Sequence, residues 1–213
     1  MPPLTLKDRR SQTIDRILKA ATKEFSEAGF AGARVDEIAN SAGVNKATLY
    51  YHIGGKQALY AQVVHDLFGN AVEQFNRNIT AAQSPEDQLK GFIQTIAGMV
   101  DQHPELAAIM LREQASGGKH FPEMVAQDLA QILGILTKIL EDGIRSGIFI
   151  KTVPLIVHMM IIGAIVFFKM TSPIRAKVAP LVATFDKMNT NVSGQVAAEI
   201  EMLILNAVKK QLI

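Results

Sequence analysis

Apolar residues recur along this chain with the period of a helix and nowhere with the alternation of a half-buried strand. Ile14, Ile17, Leu18, Ala21 and Phe25 fall on one stripe of a helix predicted over residues 11–28, with Gly29 as its stop. Val35, Ile38, Ala39 and Ala42 mark a short second helix closed by Gly43. A third begins at Lys46 after Asn45 and runs to about His52. Gly54 and Gly55 interrupt the chain before a long helix from Lys56 to about residue 79.

Ser84, Pro85 and Asp87 supply a cap, a first-turn proline and an acidic third position, and so open a helix carrying Leu89, Phe92, Ile93, Ile96 and Val100. His103-Pro104 opens another to about Ala115, and Ser116 to Lys119 is a loop. Pro122 opens a long helix to about Arg145, ended by Gly147. Val153-Pro154 opens an apolar helix that stops near Ser172-Pro173, and an amphipathic helix spans about residues 190–211. Residues 172–191 carry the weakest pattern. The fold class is therefore all-α.

Composition narrows the chemistry. The 213 residues suit one large domain, or a small one and a larger one, and 48% are apolar, enough for a sizeable core. No cysteine is present, which excludes disulfides, thiolate metal sites and Cys nucleophiles and fits a reducing cytoplasm, the expected location. The first residues lack the apolar run of a signal peptide. The apolar run from Val153 to Phe168 is interrupted by His158 and falls short of the roughly 20 residues of a spanning helix, so it reads as a buried helix and no membrane partner is expected. There is no phosphate loop, HExxH or GxSxG, and the five histidines lack metal-ligand spacing. Neither catalysis nor a metal or cofactor is expected. Through Tyr60 nine basic residues face six acidic ones, a mild excess compatible with a DNA-binding head.

Residues 35–56 carry the function. Ala39 is small where two helices must touch, Gly43 follows four residues later where the turn calls for positive φ, and Val44 and Leu49 are apolar plugs. That is helix-turn-helix spacing, with a long amphipathic helix in front of it. The second helix of the motif becomes the recognition helix, with Asn45, Lys46, Ala47, Thr48, Tyr50, Tyr51 and His52 as outward residues. Lys46 suits phosphate or guanine, Thr48 offers a hydroxyl, and the tyrosines offer flat rings with polar tips. One tyrosine packing into the small domain is the alternative for that pair. Lys56, at a helix start, suits a phosphate, or else is simply solvated.

These residues resemble the N-terminal domain of the tetracycline-repressor (TetR) family. Ile17-Leu18, Ala20-Ala21, Phe25 and Gly29-Phe30 match its first helix; Val35 to Ala39 and Gly43 to His52 match its second and third; Lys56 and Leu59 match the start of its fourth. Ala33 and Arg34 stand where the family commonly has Thr or Ser, so no hydroxyl caps the second helix from these positions, and Arg34 either makes a phosphate or minor-groove contact in its place or is simply solvated. Ala47 stands where Gly is frequent, and Ile53 where Phe is frequent. Glu141, Gly143, Gly147 and Phe149 resemble a turn found after the family's seventh helix.

The resemblance implies a three-helix DNA-binding domain over residues 1–56, linked by a long helix to a ligand-binding and dimerisation domain over residues 57–213. It implies a homodimer on a palindromic double-stranded operator, released by a small-molecule effector. Phe92, Met99, Met110, Met124, Met159 and His158 are the candidate ligand contacts, since methionine adapts to irregular apolar ligands; ordinary core packing is the alternative. Arg112, Glu113 and Gln114 either place a polar group at the cavity mouth or face solvent. The last two apolar helices are the dimerisation candidates. A carrier of lipid or small molecules with a vestigial head is the competing function.

Overall fold

The computed structural model describes residues 6–80, 84–182 and 192–210. The chain forms α1 (Leu6–Gly32), α2 (Val35–Ser41), α3 (Lys46–Ile53), α4 (Lys56–Thr80), α5 (Pro85–Gln102), α6 (Pro104–Ala115), α7 (Glu123–Arg145), α8 (Pro154–Met170), α9 (Ser172–Val178) and α10 (Ala197–Val208). A 3-10 turn follows α9, and a π turn, Val192–Val196, precedes α10. Two compact units result, Met1–Phe68 with Ala108–Ala126, and Gly69–Ala107 with Gln127–Ile213.

In the first unit α1, α2 and α3 pack on one another. The predicted stripe of α1 supplies the core: Ile17, Ala21 and Phe25 are fully buried, with Ile14 and Leu18 at its edge. Each such large apolar side chain contributes about 1.5–3 kcal/mol on burial. Regular helix ends where expected, because Gly29 adopts φ 70° and ψ 175°; one further turn then carries the chain to Gly32. The whole predicted apolar set of α2 is buried except Val35, and Leu49 of α3 is closed off completely.

In the second unit α5, α8, α10 and the π turn pack on one another. Ser84 caps α5 as its sequence position demands: its hydroxyl accepts from the Asp87 backbone N–H at 3.1 Å and donates to Oδ2 of Asp87 at 2.7 Å. That hydrogen bond, and then Lys90, hold the Asp87 carboxyl below its ordinary range. Leu89, Phe92, Ile93, Ile96 and Val100 form the buried face of α5. Asp101 ties three elements together, pairing with Lys169 of α8 at 2.7 Å and accepting the Ser193 N–H of the π turn at 2.7 Å. Lys209 reaches Glu86 at 2.7 Å and so fastens the end of α10 to the start of α5.

The apolar helix α8 corrects one expectation. It is not buried all round: Val157, His158, Ile161 and Ile165 face the core, while Ile156, Met159, Met160 and Phe167 are exposed. The four-residue spacing of the buried set leaves the intervening apolar positions on the outer side. α10 divides likewise, with Ile200, Ile204 and Val208 inside and Met202 and Leu203 outside. The predicted limits of this last helix, residues 190 and 211, lie outside the described residues; the π turn supplies its beginning. Among the described residues no single helix is long and apolar enough to cross a membrane.

Candidate nucleic-acid interface

The turn between α2 and α3 is set by Gly43. Its φ of 63° lies in the left-handed region, where a side chain is strained, and the Gly43 and Val44 N–H groups close the end of α2 on the Asn40 and Ala39 carbonyls. Ala39, 2% exposed, lets the two helices approach. With Leu49 as anchor, α3 exposes Lys46, Ala47, Tyr50 and Tyr51.

Tyr51 is 78% exposed and Tyr50 45%, so neither tyrosine is spent on the core of the unit. Ala47 and Arg34 are also exposed. Arg34 occupies the position before α2 in extended conformation and makes no side-chain cap; its N–H donates to Oε1 of Glu24 at 3.1 Å. Asn45 and Thr48 are already engaged with each other. Asn45 Oδ1 accepts the Thr48 N–H at 2.7 Å and its hydroxyl at 2.9 Å, so Asn45 is the N-cap of α3. Asn45→Ala is expected to destabilise the chain by about 1 kcal/mol, read as a lower Tm with helical content otherwise kept.

His52 faces outward only in part. It is half-buried at the end of α3, its ring edge-on to Tyr51 at 5.1 Å, and its enclosed Nδ1 has no hydrogen-bond partner among the described residues. Lys56 is half-buried too. Its Nζ donates to the Ala31 carbonyl at 3.3 Å and lies 4.8 Å from the centroid of the Phe30 ring. Lys46 Nζ pairs with Asp36 Oδ1 at 2.9 Å, and this hydrogen bond raises the Lys46 pKa above its ordinary value. The pairing joins α2 to α3. It was readable in principle, since an acidic residue in the first turn of one helix faces a lysine in the first turn of the next, but helical spacing alone does not connect residues of different helices.

The six candidate ligand contacts are divided between the two units. Met110 and Met124 belong to the first unit, and Phe92, Met99, His158 and Met159 to the second. Phe92, Met99 and His158 are buried, Met110 is half-buried, and Met124 and Met159 are exposed. His158 sits on the inner face of α8 with its Nδ1 enclosed and unpartnered among the described residues; burial pushes its pKa below the ordinary value.

A helix-turn-helix whose second helix is exposed, in a chain whose remainder is helical, has the architecture of a DNA-binding transcriptional regulator. Residues 17–63 match the model of bacterial regulatory proteins of the tetR family, and residues 85–179 match the tetracyclin repressor-like C-terminal domain. This chain belongs to that family. The HTH-type transcriptional repressor NicS of Pseudomonas putida is 28% identical over 161 residues, which cover 74% of this chain and 75% of that protein. The probable HTH-type transcriptional regulator YttP of Bacillus subtilis is 30% identical over 146 residues, 67% of this chain and 70% of that one. In fold the chain is similar to a TetR family regulator from Marinobacter aquaeolei, with TM-score 0.74 at 16% identity, covering 97% of this chain and all of the other.

Proposed function

We propose that this regulator is a homodimeric repressor. It holds a palindromic operator with one α3 per protomer in the major groove, and leaves it when a small apolar or amphipathic effector enters the C-terminal domain. Residues 1–56 carry the DNA contacts and residues 57–213 the effector and the dimer seam, and the protein acts in the cytoplasm. The observation that carries the reading is the exposure of Tyr50, Tyr51, Ala47 and Lys46 on a helix whose Leu49 is wholly buried. A rigidly anchored helix that leaves its aromatic and basic side chains in solvent suits a groove.

Arg34, Lys46 and Lys56 are the phosphate or base-edge candidates, with Asn45, Thr48 and His52 lining the same helix. For the effector, His158 offers an enclosed nitrogen with a free hydrogen-bonding position among buried apolar side chains, the setting of a polar anchor. Two recognition helices must stand about 34–36 Å apart, or a multiple of that, to meet successive grooves. An effector favouring another spacing weakens DNA by the factor with which DNA weakens the effector.

The test begins with selection of binding sites from random duplexes. Tyr51→Ala and Lys46→Ala are each expected to weaken the selected site by about tenfold or more, with helical content and dimer unchanged. Asp36→Asn releases Lys46 from its ion pair and is expected to tighten binding and steepen its salt dependence. Selection that returns no palindrome, or both alanine variants binding as wild type, would overturn the assignment of α3.

A further inference from the structure

A cavity of about 340 Å³ lies within the first unit, and no residue of α3 and none of Phe92, Met99, Met110, Met124, His158 and Met159 lines it. Phe25, Phe30, Tyr60 and His120 line it, together with Arg112 and Glu113. The rings pack as one wall: Tyr60 meets Phe25 edge-on at 4.9 Å and Phe30 at 5.1 Å, and His120 stacks on Phe30 at 4.2 Å. Glu113 is 4% exposed. Its Oε2 accepts the Tyr60 hydroxyl at 3.1 Å, and its Oε1 accepts the His120 N–H at 2.7 Å and the Ser116 hydroxyl at 3.5 Å.

All three donors are neutral. Among the described residues Glu113 forms no ion pair, and Nε of Arg112, which also lines the cavity, donates to the Ser26 carbonyl at 3.0 Å. A buried carboxylate satisfied in hydrogen bonds but not in charge leaves a negative potential in the space it lines. Aromatic faces add to that potential, because ring quadrupoles attract cations. The cluster already does so on a small scale, where the Lys56 ammonium lies over the Phe30 ring. Holding the loop after α6 requires only hydrogen-bond acceptors, so it does not by itself call for a buried carboxylate. The volume is at the lower end of the range for small-ligand sites.

We propose that this cavity is a binding site for a small organic cation, an alkylammonium or aryl-ammonium group seated against the rings with Glu113 as its counter-charge. It is a second site, distinct from the one proposed around His158.

The probe is benzyltrimethylammonium, with tert-butylbenzene as neutral and benzoate as anionic comparison, each titrated by calorimetry and by NMR shifts of the Tyr60 and His120 resonances on the full chain. The cation is expected to saturate and to move both resonances, with neither comparison doing so. Glu113→Gln is expected to weaken the cation by about tenfold or more. Equal binding of the neutral compound, undiminished cation binding in a folded Glu113→Gln, or shifts confined to other residues would overturn the proposal. If Glu113→Gln fails to fold, the comparison of the three compounds on the wild-type chain decides it. None of these readouts involves DNA, so failure here leaves the repressor reading standing, and the reverse.

Discussion

Gly143→Ala is expected to lower the stability of the chain by about 2–3 kcal/mol, although alanine is the better helix former. A Cβ at Gly143 would stand 2.0 Å from Cδ2 of Phe149, 2.5 Å from Cε2 and 2.7 Å from Cγ. The Cγ contact decides the matter, because it cannot be relieved by swinging the end of the ring. Nor is the Phe149 backbone free to retreat. The Ile148 and Phe149 N–H groups both donate to the Gly143 carbonyl, at 2.9 and 3.0 Å. On either side Ile150 N–H donates to Val208 at 2.8 Å and Lys210 N–H to Ile148 at 2.9 Å, pinning the segment to the end of α10.

The ring, 3% exposed, must therefore leave its slot or the turn must open. The helix-propensity gain of about 1 kcal/mol is too small to offset either. Gly134 is the internal control. It lies in the same helix with nothing within 4 Å of a built Cβ, so Gly134→Ala is expected to stabilise by up to ~1 kcal/mol. At equal protein concentration the two substitutions should move Tm in opposite directions, by a fall of roughly 4–12 °C and a rise of at most about 4 °C. A Gly143→Ala protein melting with wild type would mean that Phe149 is not held as described.

That turn also shows where a sequence speaks. Gly143, Gly147 and Phe149 were visible as a resemblance, yet nothing in their spacing says that the ring of one lies on the Cα of another. Signals within one element were legible throughout. The Ser84 cap, the Gly29 and Gly43 stops and the buried face of α5 each depend on residues three or four apart, the range over which a helix relates its own positions. The helix after Asn45 was legible for the same reason.

Relations between elements were not. The Lys46–Asp36 pair, Lys56 on Phe30, and the Glu113–Tyr60 bond join residues brought together only by packing. In the sequence Glu113 suits solvent or a cavity mouth, because its helix shows no reason to bury a charge; that reason lies 53 positions earlier, on α4. α9 went unread because Ser172–Val178 is too short to show a period, and the π turn because Gly194 breaks the stripe that α10 then resumes. Met159 follows His158 directly in one apolar run, yet a step of one residue turns the side chain by about a quarter of the helix circumference, and Met159 is exposed where His158 is buried.

Leu203→Glu is expected to dissociate the proposed homodimer while leaving each protomer folded. Leu203 is 61% exposed on α10 and Phe167 61% exposed on α8, in a unit where those two helices pack together. Ile156, Met159, Met160 and Met202 are exposed on the same two helices. Water contact for so many large apolar side chains is costly, and pairing the helices with their symmetry mates in a four-helix seam removes it. Because Leu203 is outward in the protomer, a carboxylate there meets solvent when the protomer is alone and costs nothing in its core.

In a two-fold seam every substitution appears twice. Two carboxylates without partners would cost about 4 kcal/mol or more together, a ~1,000-fold weaker dissociation constant. Sedimentation at micromolar concentration should show a dimer for wild type and a monomer for Leu203→Glu, with equal circular dichroism. Phe167→Glu on the other helix should do the same. Operator affinity should fall steeply in both, since one recognition helix loses the second half-site. A wild-type monomer at that concentration, or a Leu203→Glu dimer as tight as wild type, would place the seam elsewhere and leave the apolar faces of α8 and α10 to another occupant.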